Sequence, residues 1–150
     1  MRERVGDRRV GPRVEQPHAL AIALVALAHA CLTIADTVAI SAITVFTSTG
    51  TSARRVTRER PSVPVMVLTP SVSVARRVAL LWGAHPVATR DIGSFEEMIG
   101  KAKRMALRHG FGDAGSKLVV MAGVPFGVIG ATNLLHVVTL AGDELEEHAG

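Results

Sequence analysis

Aromatic side chains are scarce in this chain of 150 residues: they make up 3% of it, with one Trp and no Tyr. Single-stranded nucleic acid is held on aromatic platforms that such a composition does not supply, and no base-reading motif is present. Nucleic acid is therefore not expected as a partner, although the net charge is +4 and the isoelectric point is near 10.2. A basic balance still favours small anionic partners such as phosphates. Cysteine is reduced to one residue, Cys31, which excludes an intrachain disulfide and any cysteine-based metal cluster. It fits a reducing, cytoplasmic compartment. Cys31 sits in a fully apolar run and reads as a small buried hydrophobe. The histidines at 18, 29, 85, 109, 136 and 148 show no paired ligand spacing such as H-x-x-x-H, so no metal site is expected.

What is abundant is small and aliphatic. Hydrophobic residues make up 48% of the chain, with Ala and Val carrying much of that load, which suits close packing of helices on a sheet. The length is right for one domain with a real core. Residues 1–16 (MRERVGDRRVGPRVEQ) are charged, contain Gly and Pro, and have no apolar face; they are expected to be a disordered basic tail. Residues 141–150 are expected to be an acidic, frayed tail. The domain proper is expected over 17–140.

Residues 17–35 (PHALAIALVALAHACLTIA) are strongly helix-forming, with Pro17 suited to a first turn. This helix is apolar nearly all round. It therefore fits either a helix buried on most sides of an α/β domain or in an oligomer interface, or a short membrane anchor preceded by arginines. The buried helix is the favoured reading, since the apolar length is at the low end for a bilayer and no polar spacer follows.

Beyond residue 37, strands and helices alternate. Apolar β-branched runs predict strands over 42–46, 63–68, 84–88, 117–122 and 134–140, separated by helices over 52–60, 71–82 and 95–109. In the second of these helices Val74, Val78, Leu81 and Trp82 share one side, and Gly83 is its expected stop. In the third, Ser94 and Glu97 have the spacing of a capping box, and the lysines and arginines lie opposite the apolar face. Such alternation predicts an α/β fold: a single three-layer domain with a five-stranded, mostly parallel sheet flanked by helices.

In such sheets ligands bind at the carboxyl ends of strands, near a switch in strand order. Two loops leave such ends. One is Thr47-Ser48-Thr49-Gly50-Thr51-Ser52, dense in hydroxyls, followed by a basic helical segment that ends at Arg60-Pro61. Strand, small polar loop, helix N-terminus is the arrangement that aims orphan N–H groups and the positive end of a helix dipole at one anion. Hydroxyls add donors and acceptors, and Arg54 or Arg55 can add charge. The other loop, residues 123–133 (GVPFGVIGATN), is punctuated by Gly123, Gly127 and Gly130, which let a backbone approach a ligand closely. Thr132 and Asn133 read as structural, tying this loop to the next strand through side chain–backbone bonds. A small hydrolase using the hydroxyl loop would need a base beside its nucleophile, and no His or carboxylate follows before Glu59.

Several motifs in this order resemble one family. They are TSTGTSARRVTRERP at 47–61, VPVMVLTP at 63–70, ARRVALLWG at 75–83, SFEEMI at 94–99 and LVVMAGVPFGVIGATNLLHV at 118–137. The set resembles the C-terminal domain of pyruvate kinase over roughly residues 17–140. The resemblance implies a non-catalytic α/β domain, stand-alone or truncated, that serves as a regulatory, phosphate-binding and oligomerisation module of the glycolytic enzyme converting phosphoenolpyruvate and ADP to pyruvate and ATP. The loop matching Thr47, Ser48, Thr49, Gly50, Thr51 and Ser52 would hold a phosphate of a sugar-phosphate effector, with Arg54 adding charge. The loop carrying Gly127 and Gly130 would close over it. Mg²⁺ and K⁺ would belong to a catalytic barrel that this chain lacks, so the chain needs no cofactor of its own. Its partners would be copies of itself or a pyruvate kinase barrel, with no membrane. Position 48 is Ser where some effector-sensitive members carry Lys. Near Met98, where some place an Arg, the first basic residue is Lys101. The alternatives are a structural oligomerisation module without a ligand, or a protein anchored to a membrane by its first helix.

Overall fold

The computed structural model describes residues 16–123 and 132–141. All of both tails but Gln16 and Ala141, together with Gly127 and Gly130 of the second loop, lie outside the described residues. Among the described residues, four helices and five strands follow in the order α1 (Gln16–Thr37), β1 (Ile40–Phe46), α2 (Thr51–Arg58), β2 (Val65–Thr69), α3 (Val72–Val78), β3 (Ala84–Ala88), α4 (Phe95–Arg108), β4 (Lys117–Gly123) and β5 (Thr132–Thr139).

The strands form one sheet in the order β3-β2-β1-β4-β5. β1 runs parallel to β2 and β4, β2 runs parallel to β3, and only β5 is antiparallel, against β4. The sheet is thus the expected five-stranded, mostly parallel one. β1 lies at its centre because its side chains are apolar or small on both faces: Ile43 and Val45 on one, Ala42 on the other, all fully buried. Ile43 pairs with Val65 and Val119, and Val45 with Val67 and Met121. This face meets Ala28 and Cys31 of α1, Ala53 and Val56 of α2, and Val74 and Val78 of α3. The opposite face, with Ala42, Met66, Leu68, Leu118 and Val120, meets Met98, Ala102 and Ala106 of α4. Two helical layers enclose one sheet, and burying each Ile, Leu or Met in them contributes about 1.5–3 kcal/mol.

Three helices depart from expectation. α1 is buried along one stripe only, with Leu24, Leu27, Ala28, Cys31, Ile34 and Ala35 against the core, while Ile22 and Val25 stay exposed. A helix apolar on every side gives no sequence signal for which side packs. No helix among the described residues is long and apolar enough to cross a membrane. α3 ends at Val78, not at Trp82. Leu81 still packs against the core, whereas Trp82 turns outward and lies under the Arg60 guanidinium at 5.7 Å. Gly83, at φ +67, belongs to the turn into β3 and is not the helix stop. In α4, Ser94 accepts from the Glu97 amide at 3.1 Å, as a capping residue does. Glu97 reaches one residue further back than a capping box requires, to the Gly93 amide. Lys101 is not on the solvent side: it is buried and its Nζ donates to the Arg90 carbonyl at 2.6 Å. Its aliphatic stem covers core while its ammonium closes the loop after β3.

Candidate functional site

The strand order places the hydroxyl loop. The chain lays down β1, β2 and β3 outward in one direction, then crosses back to set β4 on the other side of β1. β1 and β4 therefore lie side by side at the switch in strand order, and a sheet of this kind binds ligands at the carboxyl ends of its strands there. Residues 47–50 leave β1 there, and Gly123 ends β4 beside them.

Local chemistry shapes this turn. The Thr47 amide donates to Leu68 O at 3.1 Å, which extends the pairing of β1 with β2 by one residue. The Thr47 hydroxyl then accepts from the Gly50 amide at 2.9 Å and closes a tight turn. Gly50 reverses the chain at φ +88, in the left-handed region that glycine enters without strain. It also lies against α3: a Cβ there would sit 3.2 Å from Val78 Cγ2 and 3.4 Å from Val74 Cγ1.

Gly50 is the N-cap of α2, and no side chain among the described residues caps that helix. The first intrahelical bond runs from the Arg54 amide to Gly50 O at 3.0 Å. The Thr51 amide donates to the Thr49 hydroxyl at 3.4 Å, while the amides of Ser52 and Ala53 have no capping oxygen among the described residues and remain as orphan donors of α2. No acidic residue occupies the first turn, and Arg55 and Arg58 lie in the last, so the positive end of the helix dipole is not neutralised by a carboxylate.

The predicted site residues divide into three groups. Ser48, Thr49, Thr51 and Arg54 are exposed, with the Thr49 and Thr51 hydroxyls 3.1 Å apart. Thr47 and Gly50 form the frame, and the Gly50 N–H is committed to it. Ser52 is buried at 5% exposure, and its hydroxyl lies 2.5 Å from that of Thr132, itself 7% exposed. Arg55 is drawn to Glu59 at 3.3 Å, which leaves Arg54 as the exposed cation of this first turn. Lys101 is held by the Arg90 carbonyl and by Glu97 at 3.9 Å. A second charge for a bisphosphate is therefore not free at that position.

The sequence predicts a side chain–backbone tie for Thr132. The partner is instead a hydroxyl 80 residues earlier in the chain. No spacing rule reaches across such a separation, and only the path of β5 beside β4 brings the two together.

The family of the pyruvate kinase alpha/beta domain matches residues 25–138. The pyruvate kinase of Clostridium acetobutylicum is 45% identical over 107 residues, covering 71% of this chain and 22% of that protein. The pyruvate kinase of Methylorubrum extorquens is 34% identical over 121 residues, covering 81% of this chain and 25% of that protein. Among solved structures, a pyruvate kinase from Cryptosporidium parvum superposes with a TM-score of 0.70 at 25% identity, covering 78% of this chain and 22% of that one. The chain thus spans about a quarter of the length of these relatives. By its motifs, its sheet order and these matches, the chain belongs to the family of the pyruvate kinase alpha/beta domain.

Proposed function

We propose that this chain works as a regulatory, phosphate-binding and oligomerisation module of pyruvate kinase, in the cytoplasm, and performs no phosphoryl transfer by itself. The observation that carries the reading is the uncapped N-terminus of α2 at the switch in strand order, fronted by the exposed hydroxyls of Ser48, Thr49 and Thr51 and by Arg54. A phosphate oxygen at that point meets backbone N–H donors, hydroxyl donors and one cation, which is the donor set such an anion needs. Gly127 and Gly130 would bring the second loop to the same ligand. Ser48 in place of a Lys, together with the engagement of Lys101, favours a ligand with one phosphate in the cradle over a tightly clamped bisphosphate. In this reading Mg²⁺ and K⁺ belong to the catalytic barrel of pyruvate kinase. Among the described residues of this chain, no group of three or more His, Cys, Asp or Glu is placed to hold a metal.

Oligomerisation draws on a different surface. β5 is an edge strand, and it contacts α1, whose outer side exposes Ile22 and Val25; Val137 of β5 is 40% exposed. Unpaired edge groups beside apolar side chains suit association with a second copy. A purely structural module without a ligand is the second reading, and this surface is what favours it.

The two readings separate in a thermal-shift series with inorganic phosphate, sugar monophosphates, sugar bisphosphates and nucleotides. A ligand held only by the native state raises the melting temperature, by an amount equivalent to about 2.7 kcal/mol at a hundredfold excess over Kd. The regulatory reading expects such a rise, and expects Thr49→Ala to diminish it. No shift at millimolar ligand, with a stable dimer in solution, would leave the structural module standing.

A further inference from the structure

We infer that the Ser52–Thr132 hydroxyl pair is a joint through which the first turn of α2 and the edge strand β5 open and close as one unit. The two oxygens are 2.5 Å apart, and both residues are more than nine-tenths buried. Each hydroxyl carries a single proton, so one donates and the other accepts, and neither has water at hand to replace its partner. Separating them leaves two buried polar groups unmatched, which a protein interior resists. β5 does not neighbour β1, since β4 lies between them. The pair therefore links the turn that follows β1 directly to the beginning of β5, across an intervening strand. Ser52 lies in the first turn of α2, which carries the proposed phosphate cradle. Thr132 opens the strand whose outer edge and α1 contacts form the proposed association surface. A restraint placed on either side is passed to the other through this contact. The joint exists whether or not the cradle binds anything.

The test is native-state amide exchange in the full 150-residue chain, with Thr132→Val, Thr132→Ser and Ser52→Ala. Valine keeps the β-branched shape that suits a strand and removes only the hydroxyl. Serine keeps the hydroxyl. The joint requires Thr132→Val to speed exchange about fivefold, as expected for a lost hydrogen bond, in two places together: amides 54–57 of α2 and amides 133–139 of β5. Amides 65–69 of β2, remote from the pair, serve as the unchanged reference. Ser52→Ala must give the same paired effect from the other side, and Thr132→Ser must restore wild-type rates. The inference is overturned if Thr132→Val speeds β5 alone, or if Thr132→Ser behaves like Thr132→Val. A further series with inorganic phosphate separates the joint from the cradle. Protection of 51–54 that reaches 133–135 in the wild type, but not in Thr132→Val, supports both. Protection that reaches 133–135 equally in Thr132→Val overturns the joint and keeps the cradle. Phosphate that alters no amide overturns the cradle, and the exchange rates of the variants still decide the joint.

Discussion

Substituting Gly50 by Ala strikes the turn on which the candidate site rests, and the structure separates its two costs. Gly50 has φ +88, where an L side chain costs about 1–2 kcal/mol, offset by about 0.4–1 kcal/mol because Ala is less free than Gly when unfolded. The new Cβ would also lie 3.2 Å from Val78 Cγ2 and 3.4 Å from Val74 Cγ1. Val78 is buried in the core, so its methyl has little room to give the few tenths of an ångström required, and such crowding costs about 1–3 kcal/mol; the approach to Val74 is close to ordinary contact. The sum is a loss of about 1–5 kcal/mol, centred near about 3, or roughly 9 °C in Tm for a domain of this size. Gly83 is the internal control. Its φ is +67, yet a Cβ there meets nothing within 4 Å, so Gly83→Ala carries the conformational cost alone, about 1 kcal/mol or less. Urea denaturation followed by far-ultraviolet circular dichroism measures both variants on one scale. If Gly50→Ala loses no more stability than Gly83→Ala, the packing of the turn against α3 is refuted. If it loses nothing, the left-handed turn itself is refuted.

Other substitutions test separate features. Thr44 is fully buried in β1, and its hydroxyl has no partner among the described residues; Thr44→Val should be neutral or stabilising by up to about 1 kcal/mol in urea denaturation, since it removes an unmatched polar group at constant shape. Lys101→Met should destabilise by about 1–3 kcal/mol, because it leaves the Arg90 carbonyl without the charged donor it now accepts from. Burial pushes the Cys31 thiol up from 9.0 to about 12. Native protein should resist maleimide labelling at pH 8 and react once unfolded. The folded state holds that proton more tightly than the unfolded chain. The thiol's contribution is therefore complete below pH 9 and is lost as pH rises from 9 towards 12, at no more than about 1.4 kcal/mol per pH unit. Cys31→Ala should flatten that alkaline decline in a series of denaturation curves.

The legibility of the fold followed the strength of local periodicity. β1, β3 and α4 were readable to within a few residues, because their runs are bounded by hydroxyl, glycine or capping signals on both sides. The strand order was readable only as a class: nothing local says that β4 lies beside β1, or that β5 alone is antiparallel. α1 announced its helicity but not its packing face, since Ile22 and Val25 are as apolar as Leu24 and Leu27. Trp82 misled for the opposite reason. Its helical spacing from Val78 suggested burial, whereas α3 unwinds first and the ring meets Arg60 at the surface. The site loop was found from its hydroxyl content and its place after a strand. The division of labour within it was not, because the burial of Ser52 depends on Thr132, and that of Lys101 depends on the loop after β3.

Phosphate held by residues 48–54 through the first turn of α2, as proposed, is open to direct measurement. Titrating the ¹⁵N-labelled chain with inorganic phosphate, at constant ionic strength, reads that turn amide by amide. Saturable shifts concentrated on Ser48, Thr49, Thr51, Ser52 and Ala53, and weakened in Thr49→Ala, are the predicted result. Shifts spread evenly over the arginine-bearing surfaces of α2 and α3, or no saturable shift at all, would contradict it.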